Sequence, residues 1–318
     1  MTRVAAIDCG TNSVRLLVAD IDTDMDAAAG LLRDVDRRME VVRLGEGVDR
    51  TGRFSADALE RTQLALRRYA GVIEQCRAER VRMVATSATR DAANRDEFVA
   101  SVVDILGVEP EVISGAEEAT LSFTGATRGL ADPGADPCLV VDIGGGSTEF
   151  VLGAAGEGSV RSARSVDVGC VRLTERHLHD DPPTPGQVAA ARADVEAAID
   201  AAAGEVALRD AQTLVGLAGS VTTVTAMALG LQAYDPARIH RAHVSASRVG
   251  EIAEVLLAMP RAERAALPFM HPGRVDVIGA GGLVWAAVVE RVGLPEVVAS
   301  EHDILDGIAW SLVAGPLA

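Results

Sequence analysis

The chain has 318 residues, 48% of them hydrophobic, and a formal net charge of −16. That length can bury one large core or two ordinary ones and favours two domains. The acidic balance excludes non-specific nucleic-acid binding, which needs a basic footprint; no unbroken apolar run of about 18 residues offers a membrane span, and no basic segment followed by an apolar one opens the chain as an export signal would.

Val4–Ile7 and Val14–Ala19 read as strands joined by the turn CGTNS, and Met39–Leu44 as a third strand leading into the loop GEGVDRTGRFS. Ser55 is placed to cap a helix running to about Arg77, with Leu59, Leu66 and Ile73 on one face. A buried strand Val81–Ala85, a helix Asn94–Leu106, a strand end Glu111–Ile113 and a helix Glu117–Gly125 follow. The turn-rich segment ADPGADP, 131–137, is the expected boundary between a domain of 1–130 and one of 131–302, with the last helix, 303–318, packing back on the first.

The second half opens with strands Cys138–Asp142 and Glu149–Leu152 around a glycine turn, then a strand Val160–Asp167. DDPPTPG, 180–186, breaks the chain before the helix Gln187–Gly204. Thr213–Leu217 reads as a strand, Ser220–Leu229 and Ala246–Met259 as helices, Asp276–Gly279 as a strand before the helix Leu283–Val292, and Val297–Ser300 as a strand before a helix from Asp303. The cysteines at 9, 76, 138 and 170 lack any CxxC spacing and read as reduced thiols of a cytosolic protein.

One pattern occurs twice. AAIDCGTNSVRLLVAD, 5–20, and LVVDIGGGSTEFVL, 139–152, place Asp8, Gly10 and Ser13 in the same relation as Asp142, Gly144 and Ser147, each before an apolar run. Matching β-turn-β starts predict duplicated α/β domains around a central cleft. The glycines at 144–146 are followed by Glu149-Phe150-Val151-Leu152 rather than by a lysine and a helix, so they belong to a hairpin and not to a nucleotide P-loop. Successive glycines let backbone N–H groups form a nest for an anion. Carboxylates beside phosphate call for a divalent cation, and Mg²⁺ suits carboxylate, water and phosphate ligands, so Asp8 and Asp142 are candidate metal residues.

In ATSATRDAAN, 85–94, Arg90 is expected near a helix N-terminus, where a cation gains nothing from the helix dipole and a phosphoryl ligand would justify it. ISGAEEA, 113–119, puts Glu117 and Glu118 in a first helical turn; either could take a proton from an attacking water, and dipole-favourable placement explains both equally well. The histidines of HLHD, 177–180, with His240, His243 and His302, carry no assigned role. The acidic run DIDTDMD, 20–26, reads as a solvated connection, and Trp285 and Trp310 as core.

These motifs, with RLGEGVDRTGRFS at 43–55 and GCVRLTE at 169–175, run through nearly the whole chain and resemble the exopolyphosphatase and guanosine pentaphosphate phosphohydrolase (Ppx/GppA) family of the actin–hexokinase–Hsp70 superfold. The resemblance implies two duplicated ribonuclease H-like (actin-like ATPase) domains, in the short form without C-terminal helical domains. It implies hydrolysis of a terminal phosphoanhydride, of polyphosphate or of guanosine pentaphosphate, with Mg²⁺ or Mn²⁺ as cofactor. Glu118 matches the general base, Arg90 a phosphate-binding arginine, and Asp142 and Glu149 acids associated with the metal and catalytic water. Thr11, Asn12, Ser13, Gly144, Gly145, Gly146 and Ser147 match the phosphate loops. GLAGSVTT, 216–223, departs from the usual glycine- and threonine-rich loop, although Gly219 and Ser220 can still form a nest.

Arg15, Arg90, Arg128 and Arg274 are candidates for a positive strip in an otherwise acidic protein. No nucleic acid or membrane is expected as a partner, and a homodimer is left open. The readings that compete with the hydrolase are a kinase or ATPase of the same superfold, a filament-forming protein, and a non-hydrolysing sensor of alarmone or polyphosphate that could dispense with Glu118.

Overall fold

Apolar runs bounded by Gly, Asn and Ser become strands here, and period-3.6 stripes become the helices that cover them. A computed structural model describes residues 1–22, 31–128, 136–155 and 159–313. It divides into two units: Met1–Gly129 with Ile304–Ala318, and Leu130–Asp303.

In the first unit β1 (Thr2–Cys9) pairs antiparallel with β2 (Ser13–Asp22), and β2 with β3 (Leu31–Val41). The helices α1 (Val48–Thr51) and α2 (Ala56–Cys76) lead to β4 (Arg80–Ala85), parallel to β1. Then come α3 (Ser87–Asp91), α4 (Arg95–Leu106), β5 (Glu111–Val112), parallel to β4, and α5 (Gly115–Thr127). The sheet order is β3-β2-β1-β4-β5. Alternate residues of β1 serve two cores: Ala5, Ile7 and Cys9 join Leu66 and Phe98, while Val4 and Ala6 join Leu121 and Ile308. Period-2 alternation with both faces apolar is why β1 reads as an unbroken hydrophobic run.

The second unit repeats this plan. β6 (Cys138–Ile143) and β7 (Thr148–Ala154) form a hairpin, β8 (Ser159–Val166) pairs with β7, and α6 (Cys170–His177) and α7 (Pro185–Ala203) follow. β9 (Thr213–Leu217) lies parallel to β6 and runs into α8 (Ala218–Ala228). After α9 (Pro236–Ile239), β10 (His243–Ser245), α10 (Ala246–Ala258), α11 (Arg261–Ala265) and α12 (Ile278–Val292), β11 (Glu296–Ala299) pairs parallel with β9. The order β8-β7-β6-β9-β11, with β10 on the far edge, matches the first unit strand for strand. The chain ends its described course in α13 (Ile304–Ser311), part of the first unit, with Asp306 buried and paired to Arg37 of β3 at 2.6 Å.

Three expectations need correction, and one element was missed. β3 begins at Leu31, not Met39, because its RDVDRR stretch is an edge strand, whose charges discourage further pairing and hide it from an apolar search. No strand forms at Asp276–Gly279: Ile278 and Gly279 already belong to α12, and a short apolar run cannot by itself distinguish a strand from a buried helix start. α6, over GCVRLTE, was not anticipated at all. Asp20, read as part of a solvated connection, is buried and receives Arg3 at 2.7 and 2.9 Å and Arg33 at 3.2 Å; residues 23–26 of that run, and 131–135 of the expected interdomain link, lie outside the described residues.

The Ser55 cap does form, its hydroxyl accepting from Ala58 N–H at 3.2 Å. All four cysteines are free; burial pushes the Cys138 thiol up to about 12 and Cys170 up to about 11. Among the described residues no helix is long and apolar enough to cross a membrane.

Candidate active site

The two Asp-x-Gly turns are built alike. Gly10 N–H donates to Ser13 O at 3.0 Å, and Gly144 N–H donates to Ser147 O at 3.0 Å. What lies behind each turn then decides where its remaining amides point. In the second unit Gly144 O accepts from Cys170 N–H at 3.0 Å, and Gly145 O accepts from Val171 and Arg172 N–H at 2.9 and 3.1 Å. Gly146 O accepts from Arg172 Nε at 2.8 Å. The start of α6 therefore holds three successive carbonyls. In a planar trans peptide the next residue's N–H points the opposite way, so the N–H groups of Gly145, Gly146 and Ser147 are turned together away from α6. Gly169 makes this contact possible: a Cβ there would lie 2.5 Å from Gly145 O.

The first unit uses a different backing for the same purpose. Thr11 O accepts from Gly45 N–H at 2.8 Å, and Asn12 O from Val42 and Arg43 N–H at 3.1 and 2.8 Å. The RLGEG stretch thus holds the turn's carbonyls, and the N–H groups of Asn12 and Ser13 face the other way. Thr11 Oγ1 lies 2.9 Å from Ser87 Oγ, tying the turn to α3.

The hairpins diverge at one register position. The residue opposite Asp8 is Arg15, and the residue opposite Asp142 is Glu149. Directly opposed residues share a face of the sheet. Arg15 donates from Nε and Nη2 to Asp8 Oδ2 at 3.0 and 2.7 Å, so Asp8 carries its own counter-charge within the chain, a partner that the sequence reading did not foresee. In the second unit two carboxylates, Asp142 at 7% and Glu149 at 1% exposure, stand side by side, with Ser165 Oγ donating to Glu149 Oε1 at 2.7 Å. Like charges in direct opposition repel, and a divalent cation would offset that. Among the described residues no cluster of three or more Asp, Glu, His or Cys could hold a metal. Two adjacent carboxylates are a donor set that would suit Mg²⁺, which binds through one or two carboxylates plus water and phosphate oxygens.

Ser114 caps α5, accepting from Glu117 N–H at 3.2 Å, and the helix then separates its two glutamates. Glu117 faces outward to Arg82 at 2.8 Å, whereas Glu118 is buried and pairs with Arg90 Nη1 at 2.8 Å. The same Nη1 donates to Ile113 O at 2.9 Å. Arg90 lies in the last turn of α3, not near the start of a longer helix, so the dipole argument for an anion beside it does not apply. Its side chain instead holds Glu118 in place.

GLAGSVTT forms the end of β9 and the start of α8, with Gly219 and Ser220 in the first turn. Thr223 Oγ1 donates to Gly219 O at 2.6 Å, and Arg274 Nη1 lies 3.4 Å from the same oxygen. Tyr234 OH contacts Glu301 Oε1 at 2.6 Å and Thr222 Oγ1 at 2.8 Å; burial, with Glu301 beside it, pushes the phenol up to about 12, so it keeps its proton as a donor. Nothing in the residue pattern marked Tyr234 or Glu301 in advance. Arg128, the remaining candidate for a positive strip, stacks 4.2 Å over Trp310.

Ala218 sits at φ 65°, a left-handed conformation without glycine. The left-handed region costs an L-residue roughly 1–2 kcal/mol, and glycine's extra unfolded-state freedom takes back roughly 0.5–1. Ala218→Gly is therefore expected to raise stability by up to about 1 kcal/mol in denaturant titration. A loss instead would mean that the Ala218 methyl packs usefully.

Two ribonuclease H-like units, each opening on an Asp-x-Gly turn with its amides bared to one side, define an α/β protein of the actin-like fold class. More narrowly, the chain belongs to the Ppx/GppA phosphatase family, which it matches over residues 24–314. It is 52% identical to exopolyphosphatase 2 of Mycobacterium tuberculosis, covering 98% of this chain and 99% of that one. A guanosine-5′-triphosphate,3′-diphosphate pyrophosphatase of Aeromonas salmonicida is 29% identical over 97% of this chain, which spans 59% of that relative. Among solved structures, an exopolyphosphatase-like protein superposes with a TM-score of 0.91 at 45% identity, covering 98% of both chains. The Aquifex aeolicus Ppx/GppA family member gives 0.79 at 31%, covering 98% of this chain and 97% of its own.

Proposed function

We propose that this chain is an exopolyphosphatase, releasing orthophosphate from the end of inorganic polyphosphate by attack of water on the terminal phosphoanhydride. The observation that carries the reading is the division within ISGAEEA: Glu118 is buried against Arg90, while Glu117 is spent on Arg82 at the surface. A buried carboxylate fixed in position by a guanidinium is placed to take a proton from water. Full-length similarity to an exopolyphosphatase supports polyphosphate as the substrate.

The roles follow from the local geometry. The amides of Gly145, Gly146 and Ser147, and those of Asn12 and Ser13, bind phosphoryl oxygens; Thr11 and Gly144 complete these loops, and Gly219 and Ser220, in the first turn of α8, offer a further phosphate contact. Asp142 and Glu149 would hold Mg²⁺ (or Mn²⁺), which when bound supplies positive charge against the phosphates. Asp8, whose Oδ2 is paired with Arg15, would help to position the metal or its water. Phosphoryl transfer of this kind depends on positioning and electrostatics, and these residues supply both.

A second reading, hydrolysis of guanosine pentaphosphate, is favoured by the similarity to the Aeromonas enzyme. The test is orthophosphate release from purified protein with Mg²⁺, run in parallel on polyphosphates of several lengths, guanosine pentaphosphate and ATP. Release from polyphosphate well above the other two is expected. Preferential release from guanosine pentaphosphate would select the second reading, and binding without release from any of them would make the protein a sensor.

A further inference from the structure

We infer that α13, the helix in which the described chain ends, is the positioning element for Glu118, and that Gly307 is the residue through which it acts. The inference rests on Glu118 being the general base.

The contact between α13 and α5 is a backbone contact. A Cβ at Gly307 would lie 2.0 Å from Leu121 O, 2.7 Å from Leu121 C and 3.1 Å from Leu121 Cα. None of these atoms belongs to a side chain that could swing aside. Leu121 is one helical turn beyond Glu118, on a helix whose first turn carries that carboxylate. Any side chain at 307 must therefore push α5 and α13 apart one helical turn from Glu118. The Glu118–Arg90 contact, 2.8 Å across to α3, is what such a shift would alter.

Both ends of this contact are fixed. Arg82 donates from Nη1 to Ser311 Oγ at 2.8 Å and from Nη2 to Glu117 Oε1 at 2.8 Å, joining the end of α13 to the residue beside Glu118. At the other end of α5, the Arg128 guanidinium lies over the Trp310 ring. Asp306, next to Gly307, is held from the sheet side by Arg37 Nη1 and Nη2 at 3.3 and 2.6 Å. The helix cannot retreat freely, so α5 must give.

Glycine within a helix is otherwise unfavourable against alanine, so Gly307→Ala in open space would stabilise. The steric contact predicts the reverse sign and an effect on turnover. Displacement of a reacting group by about 1 Å can cost up to about 10²-fold, so Gly307→Ala is expected to lower kcat by about 10- to 10²-fold with KM little changed.

A double-mutant cycle on polyphosphate hydrolysis tests this. Gly307→Ala, Glu118→Gln and the combination are compared by kcat and KM, with circular dichroism to verify folding. If Gly307 acts through Glu118, adding Gly307→Ala to Glu118→Gln changes kcat less than about 2-fold. Equal factors in both backgrounds, or an unchanged kcat in the single variant, would overturn the positioning role and leave Glu118 as the base. A Glu118→Gln variant with near-parental turnover would overturn the base itself, and this inference with it. Should Gly307→Ala not fold, Ser311→Ala, which removes the Arg82 acceptor on α13 together with the hydroxyl's bond to Ile308 O within the helix, takes its place in the cycle. A fall in kcat confined to the Glu118 background supports the role, and an additive or absent effect overturns it.

Discussion

Glu118→Gln is expected to lower kcat for orthophosphate release by about 10²–10⁴-fold, the usual worth of a general base. The amide keeps the size of the side chain and can still accept from Arg90 Nη1, which lies 2.8 Å away in the parent, but it cannot take a proton from water. Substrate binding should survive or tighten, since one negative charge leaves an anion site. Glu117→Gln is the control. That residue is partly exposed and shares Arg82 with Glu111, so it should change kcat far less. Steady-state phosphate release with both variants, and substrate affinity measured separately, check the expectation. Loss of turnover in Glu117→Gln with none in Glu118→Gln would reverse the assignment.

The second large effect concerns the diverged hairpins. Metal-ion catalysis contributes several kcal/mol, so excess chelator, or Asp142→Asn or Glu149→Gln, should cost about 10²–10³-fold in kcat. Stability should move independently of activity. Opposed like charges destabilise a sheet by about 0.2–1 kcal/mol, so in chelator Asp142→Asn and Glu149→Gln should show a coupling of that size and of repulsive sign in a double-mutant cycle. Asp8→Asn should lose stability, because it breaks the pair with the half-buried Arg15; hydrogen bonds to charged groups are worth about 1.5–3 kcal/mol. Denaturant titrations of these variants, paired with phosphate-release assays over a Mg²⁺ series, separate the cases. Full activity in excess chelator would remove the metal from the mechanism. An attractive coupling between Asp142 and Glu149 in that cycle would show that the pair is not a repulsive one.

Much of this site was legible in sequence because the information is local. Asp8, Gly10 and Ser13, and Asp142, Gly144 and Ser147, announce two turns through residue types that few other conformations use. Their flanking apolar runs announce the strands β1, β2, β6 and β7. Elements whose signal depends on a neighbour were missed. β3 is charged because it is an edge, α12 begins with an apolar run because it is buried on all sides, and α6 is marked by its contact with the GGGS turn. None of those reasons is written in the segment itself.

The same division holds for chemistry. The sequence alone determined the repeat, the fold class it implies, and the set of acids, amides and arginines available to handle phosphate, since these follow from residue identity and spacing along the chain. The resemblance already pointed to Glu118, but the sequence could not show that Glu118 is buried against Arg90 while Glu117 faces Arg82, because both lie in the same turn of the same helix. It could not show that Asp8 faces Arg15 while Asp142 faces Glu149, because strand register becomes visible only when strands pair. Nor could it show that Gly307 touches Leu121, 186 positions earlier in the chain. The tertiary structure decided those points: charge compensation and helix height depend on distances across space, and those distances are set by packing between segments remote in sequence.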